Sequence, residues 1–124
     1  MPSKPTVVYI AGPYRAANAW QREKNIRAAE EVALKVAGLT TAIPLCPHTM
    51  FRFFDGTFPD QHWIEMTLGL LGVCEAMIVL DGWEDSEGTK EEVEFATENG
   101  IHICFGFSEF LDLFGTNPKA GEDD

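Results

Sequence analysis

The residues best suited to chemistry fall in two short segments. Ser86, Gly88, Thr89 and Glu92 stand at and just beyond the end of a polar run, residues 81–89 (DGWEDSEGT), which follows the apolar residues 76–80. One reading makes Thr89-Lys90-Glu91-Glu92 a capping box, with the Thr89 hydroxyl capping a helix and Glu92 reaching back. Spacing alone favours it. The other reading uses the same geometry for catalysis. A carboxylate in a first helical turn is held ionised by the positive end of the helix. At the mouth of an α/β sheet such a group can attack as a nucleophile or stabilise a cationic centre. Backbone N–H groups of Gly88 and Thr89 would lie beside it, open to an anion.

The second segment is residues 9–15 (YIAGPYR). Gly12 permits close backbone approach, and Arg15 offers a guanidinium fork to phosphate oxygens, although a lone Arg is more often a surface residue. No second glycine follows at the interval of a P-loop or a dinucleotide-binding fingerprint. His48, in Cys46-Pro47-His48-Thr49, is either a ligand contact or a polar loop residue. His48, His62 and His102 show no metal-ligand spacing, so neither metal nor cofactor is expected. Trp83 and the group Phe51, Phe53, Phe54 and Phe58 are candidates for stacking on a base, against closing a core or an interface.

The elements that must carry these residues alternate in hydrophobic period. Residues 6–11, 40–45, 76–80 and 101–105 read as strands, the third a continuous apolar run suited to a sheet covered on both faces. Residues 20–37 read as an amphipathic helix, with Ile26, Ala29, Ala33 and Val36 on one face and Gly38 placed to end it. Residues 63–73, 90–98 and 108–114 are further helices, and residues 48–61 a long apolar loop. Strand–helix alternation predicts a single-domain α/β fold. The expected form is a doubly wound, Rossmann-like or flavodoxin-like parallel sheet of four to five strands with flanking helices. Residues 1–115 would form the domain and 116–124 an acidic disordered tail. Ligands in such sheets bind at the carboxyl ends of the strands, where both segments emerge.

Composition narrows the partners. The 124 residues carry nine Lys+Arg against twenty Asp+Glu, a net charge of −11. A surface this acidic repels nucleic-acid polymers and anionic membranes, yet local N–H groups and one Arg can still hold a small anion. Three scattered cysteines, Cys46, Cys74 and Cys104, fit buried thiols in a reducing compartment better than disulfides. With no signal peptide evident and no apolar run of membrane-spanning length, a cytoplasmic protein is expected.

Taken together, YIAGPYR, the central PHT and the run CEAMIVLDGWEDSEGTKEEVEFA resemble the nucleoside 2-deoxyribosyltransferase superfamily, over residues 6–105. The resemblance is narrowest to small bacterial and phage members. It implies Glu92 as catalytic nucleophile and Tyr9 as the residue that holds its carboxylate. Ser86, six residues before the nucleophile, and Arg15 match the branch that hydrolyses deoxynucleoside 5′-monophosphates. The transferase branch, acting on free nucleosides, tends to carry Asp at the first position. Gly12, Arg15, Ser86 and Gly88 would then hold phosphate, with His48 facing the ligand. Two departures stand out: Thr67 falls where relatives have Asp, leaving Glu65 (otherwise a solvated helix residue) and His48 as candidates for the acid, and Pro13 replaces a Ser. The implied activity is cleavage of the N-glycosidic bond of a (deoxy)nucleoside 5′-monophosphate through a glycosyl-enzyme ester. The alternatives are base exchange between free nucleosides and a non-catalytic nucleotide sensor in which Glu92 is only a helix cap. A homo-oligomer acting on a small nucleotide or nucleoside is expected.

Overall fold

Alternate residues of the two central strands face opposite layers of helices, and that alternation organises the molecule. In the computed structural model, which describes residues 5–54 and 56–118, a four-stranded sheet is formed by β1 (Val7–Ala11), β2 (Ile43–Leu45), β3 (Ala76–Val79) and β4 (His102–Phe105). The helices are α1 (Ala19–Leu39), α2 (Pro47–Met50), α3 (Asp60–Leu71), α4 (Glu87–Glu98) and α5 (Phe107–Phe114). Strand order is β2-β1-β3-β4, and each neighbouring pair is parallel. The α/β expectation holds, with four strands.

Val8, Ile10, Ala76 and Ile78 pack with Ala29 and Val36 of α1 and Phe110 of α5. Tyr9, Ala11, Met77 and Val79 turn to the other layer, against Leu71 of α3 and Ala96 of α4. The period of two therefore commits Tyr9 to the α4 side of the sheet. Because β2 and β3 lie on opposite sides of β1, the loops after β1 and β3 diverge at a topological switch point, where α/β sheets open a crevice. The two loops touch. The Leu80 N–H donates to the Ala11 carbonyl (2.8 Å), and a Cβ on Gly12 would stand 2.7 Å from Leu80 Cδ1 and 2.9 Å from its Cβ. Gly82, at φ +86°, takes the left-handed turn that carries the second loop past Pro13.

Element boundaries depart from the sequence expectation where side chains cap helices. Gly38 does not end α1. The helix continues to Leu39, because the Thr40 N–H and hydroxyl both donate to the Val36 carbonyl (3.1 and 2.7 Å). Thr40 is thereby taken from β2, which shortens to three residues. At the other end the Asn18 side chain accepts the Gln21 N–H (2.8 Å), fixing the start of α1. Residues 48–61 are not wholly irregular: α2 opens with Pro47, and α3 begins at Asp60 directly after Pro59. Of residues 116–124, those from 119 onward lie outside the described residues. Asn117 donates its N–H to the Leu39 carbonyl (2.7 Å). The three cysteines are buried and unpaired, and among the described residues no helix is long and apolar enough to cross a membrane.

The contact at Gly12 is a test of this arrangement. Gly12→Ala presses a methyl group against Leu80 from its Cδ1 back to its Cβ, so turning the flexible end alone does not relieve the clash and it should cost about 1–3 kcal/mol. A lower denaturant midpoint at unchanged m-value would register that loss.

Candidate active site

A cavity of about 650 Å³ opens at the carboxyl ends of β1 and β3. Its floor is the Tyr9–Glu92 pair. The Tyr9 hydroxyl donates to Glu92 Oε2, joining the inward side chain of β1 to the second turn of α4. Burial raises the Glu92 pKa from its ordinary 4.5 to about 7; the Tyr9 bond pulls it down, and the neighbouring Glu91 carboxylate adds to the rise. The same burial, reinforced by the Glu92 charge, holds the Tyr9 phenol well above its usual value, while the Thr67 hydroxyl beside it acts in the opposite direction. Tyr9 is thus a fixed donor, and one carboxylate oxygen of Glu92 is left for the cavity.

The capping box is not what forms at α4. Its N-cap is Ser86, whose hydroxyl accepts the Thr89 N–H (3.3 Å) and shares a hydrogen bond with the Thr89 hydroxyl (2.9 Å). The helix begins at Glu87, three residues before the expected start, because Ser86 and not Thr89 is the cap. Glu92 consequently lies beyond the first turn, and desolvation rather than the helix dipole governs its ionisation. The N–H groups of Glu87 and Gly88, first in the helix, have no acceptor one turn back within it. Gly88 also leaves open space where a side chain would project.

His48 lies in the opposite wall, buried in α2. Its Nε2 is 2.9 Å from the Pro13 carbonyl. A carbonyl only accepts, so the proton is on Nε2 and the neutral ring presents Nδ1 as an acceptor. Burial lowers the His48 pKa, opposed by the carbonyls of Pro13 and Gly12. Tyr14 packs its ring edgewise on His48, at 5.6 Å between centroids. His48 Nδ1 and Trp63 Nε1 are both buried without a hydrogen-bond partner among the described residues.

The structure therefore brings together Tyr9, Gly12, Arg15, His48, Ser86, Gly88 and Glu92 around one cavity. It does not bring Glu65. On α3 the positions that reach the cavity are Asp60, Trp63, Ile64 and Thr67, which share one helical face, and Glu65 falls on the solvent side. Of the aromatic candidates, Phe51 reaches the wall. Trp83 is turned away by the 3₁₀ turn Trp83–Asp85 and packs on Phe105 at 5.5 Å. Phe54 and Phe58 surround Trp63 outside the cavity lining, and Phe53 points to solvent.

Asp60, Trp63, Asp85 and Glu91 are wall residues that the sequence reading passed over. Pro59 was the available signal for Asp60, since a proline at a helix start draws the next acidic residue into the first turn. Arg15 is ion-paired with Asp60 across the mouth, their side chains 61% and 65% exposed.

The raised pKa makes Glu92 a stability liability at high pH. Its neutral form is favoured in the fold, so this contribution is full below pH 4.5 and is lost as pH rises through about 7. Gln is neutral throughout and keeps an acceptor for Tyr9. Glu92→Gln should therefore gain on the parent chain as pH rises from 5 to 8, by on the order of 2–3 kcal/mol in unfolding free energy. Denaturant titrations at the two pH values measure the difference.

The comparisons with known proteins agree with this architecture. No curated protein matches the chain. Among solved structures, a 2-desoxiribosyltransferase from Leishmania mexicana aligns at TM-score 0.59 and 20% identity, over 82% of this chain. The chain spans only 63% of that protein's length. A 2-deoxyribosyltransferase from the psychrotolerant bacterium Bacillus psychrosaccharolyticus aligns at TM-score 0.55 and 16% identity, covering 79% of this chain and 69% of the other. At these identities the likeness is one of fold. A family model matches residues 6–106, and the chain belongs to the family described as "Domain of unknown function (DUF7768)".

Proposed function

We propose that this protein cleaves the N-glycosidic bond of a (deoxy)nucleoside 5′-monophosphate, with Glu92 as the nucleophile. The observation that carries the reading is the pair of buried Tyr9 and half-buried Glu92, facing an open cavity at the sheet's switch point. A carboxylate folded onto its own helix start would serve as a cap; here Ser86 does that work and leaves Glu92 for the cavity. The fold shared with two deoxyribosyltransferases supports the same class of chemistry.

In the proposed reaction the free oxygen of Glu92 bonds to C1′ while the C1′–N bond breaks. The base departs with that electron pair and takes a proton from water. The transition state resembles an oxocarbenium ion, which the adjacent carboxylate stabilises electrostatically. Water then adds its oxygen to C1′, the ester bond returns its electrons to Glu92, and a proton is released to solvent. Tyr9 is the positioning residue for the carboxylate. The uncapped N–H groups of Glu87 and Gly88, together with Arg15, would receive the phosphate. His48 is best placed as a wall residue that orients the Gly12–Pro13 backbone, because its one ring proton is already committed to Pro13. Glu65 has no part in the reaction.

One observation favours a second reading, base exchange on free nucleosides. Arg15 is the one Lys or Arg among the described cavity-lining residues, and it shares the site with Asp60, Asp85, Glu87, Glu91 and Glu92. That field is unfavourable to a dianion unless the helix N-terminus and Arg15 outweigh it. Incubation with monophosphates, and separately with a nucleoside plus a second free base, separates the two. Base release from monophosphates is expected; exchange on the unphosphorylated nucleoside alone would replace the first reading with the second.

Two kinetic outcomes test Glu92 directly. Because the attacking form is ionised, kcat/KM should climb with pH through about 7, and Tyr9→Phe, by removing the bond that lowers the Glu92 pKa, should move that limb upward. Glu92→Gln should reduce kcat by about a thousandfold or more and abolish a pentose-phosphate adduct detectable by mass spectrometry on the parent protein.

A further inference from the structure

The Arg15–Asp60 pair closes across the mouth of the cavity from two different elements. Arg15 comes from the loop after β1, and Asp60 from the first turn of α3. We propose that Asp60 is a specificity-determining residue: its carboxylate occupies, on Arg15, the position of a ligand phosphate oxygen, and an anionic ligand binds by displacing it. This rests on the monophosphate reading above.

Three features make the pair an exchangeable latch and not a structural bridge. Both side chains are more than half exposed, so the interaction is screened and weak. Arg15 is the cationic side chain of the described lining, so whatever neutralises it controls the attraction of the whole mouth for anions. Asp60 loses little when released, since its carboxylate stays in the first turn of α3, where the helix dipole favours negative charge. A phosphate dianion, with more charge and more acceptor oxygens, outcompetes one carboxylate for a guanidinium fork. A neutral nucleoside has no group that can do so. With Arg15 latched, the mouth therefore withholds its cation from neutral ligands and yields it to phosphate.

The test is a double-mutant cycle. Kinetic constants are measured for the parent chain, Asp60→Asn, Arg15→Ala and the double variant, on the common deoxynucleoside 5′-monophosphates and the matching free deoxynucleosides. Asp60→Asn should lower KM for monophosphates by about two- to fivefold relative to KM for the free nucleosides, as expected for release of a weak exposed pair. That gain should vanish when Arg15 is Ala, because nothing is left to unlatch. A gain of equal size in both backgrounds would mean that Asp60 acts only through the general field, and the latch would be wrong. So would the absence of any gain in a parent enzyme that does turn over monophosphates, which leaves the function intact and removes Asp60 alone. If none of the four proteins turns over or binds a monophosphate, the functional reading and the latch fall together.

Discussion

A carboxyl group driven out of water, with a phenol as its fixed partner, is the constraint on which the site depends. Glu92 could be kept strongly acidic by solvent or by a cation. Instead it lies against the sheet with Tyr9 as its donor, and burial places its titration near neutrality. That condition suits the proposed nucleophile, which would have to be ionised to attack and later leave an ester. It requires the surrounding layer to be rigid. Tyr9 sits in β1 between the flanking strands β2 and β3, paired with Leu45 and Met77. α4 is fixed by the Ser86 cap at one end and by Ala96 in the core near the other.

Around this floor the mouth is electrostatically lopsided. A chain of net charge −11 brings acidic side chains to the rim, and the one lining guanidinium is already engaged by Asp60. In the proposed reading a small anion would be attracted by backbone dipoles at the start of α4 together with Arg15 once Asp60 releases it. Selectivity between charged and neutral ligands follows from how readily Arg15 joins those dipoles. An exposed pair changes partners easily, where a buried one would be held in place by the cost of stranding either charge.

The strands themselves were legible as apolar runs, but not which residues share a layer: runs apolar on both faces show no period of two, and the register that sets Tyr9 beside Met77 and Ile10 beside Ile78 comes from the pairing of β1 with β3. Helix ends were legible only where the cap lay next to the hydrophobic periodicity. The sequence placed the α4 cap at Thr89, whereas Ser86 caps the helix and Thr89 is buried in its first turn, an environment a single sequence does not display. The cavity wall was legible to the extent that it is built at strand ends: Tyr9 in β1, Gly12 just after it, and Ser86 and Gly88 at the start of α4 all line the cavity. Glu65 illustrates the limit. Its two-residue offset from Thr67 is trivial in sequence but is a rotation of some 200° around a helix, enough to exchange cavity for solvent. Trp83 illustrates another, since a three-residue 3₁₀ turn redirected its ring onto Phe105.

Thr67 stands where the deoxyribosyltransferase pattern that the sequence resembles would place an acid, and the site accommodates the difference. Its hydroxyl stands beside the Tyr9 hydroxyl and donates to the Ile64 carbonyl (3.0 Å), so the polar atom is satisfied within its own helix. An acid at this place would put a second carboxyl across Tyr9 from Glu92, and two like charges in one desolvated site resist ionising together. The Thr removes that competition and leaves Glu92 as the acid bonded to Tyr9 at the cavity floor. The same exchange also removes a proton donor from the α3 wall, where Trp63 and Ile64 are otherwise apolar neighbours. In the proposed reaction a departing base would then draw its proton from water entering at the open mouth of the cavity.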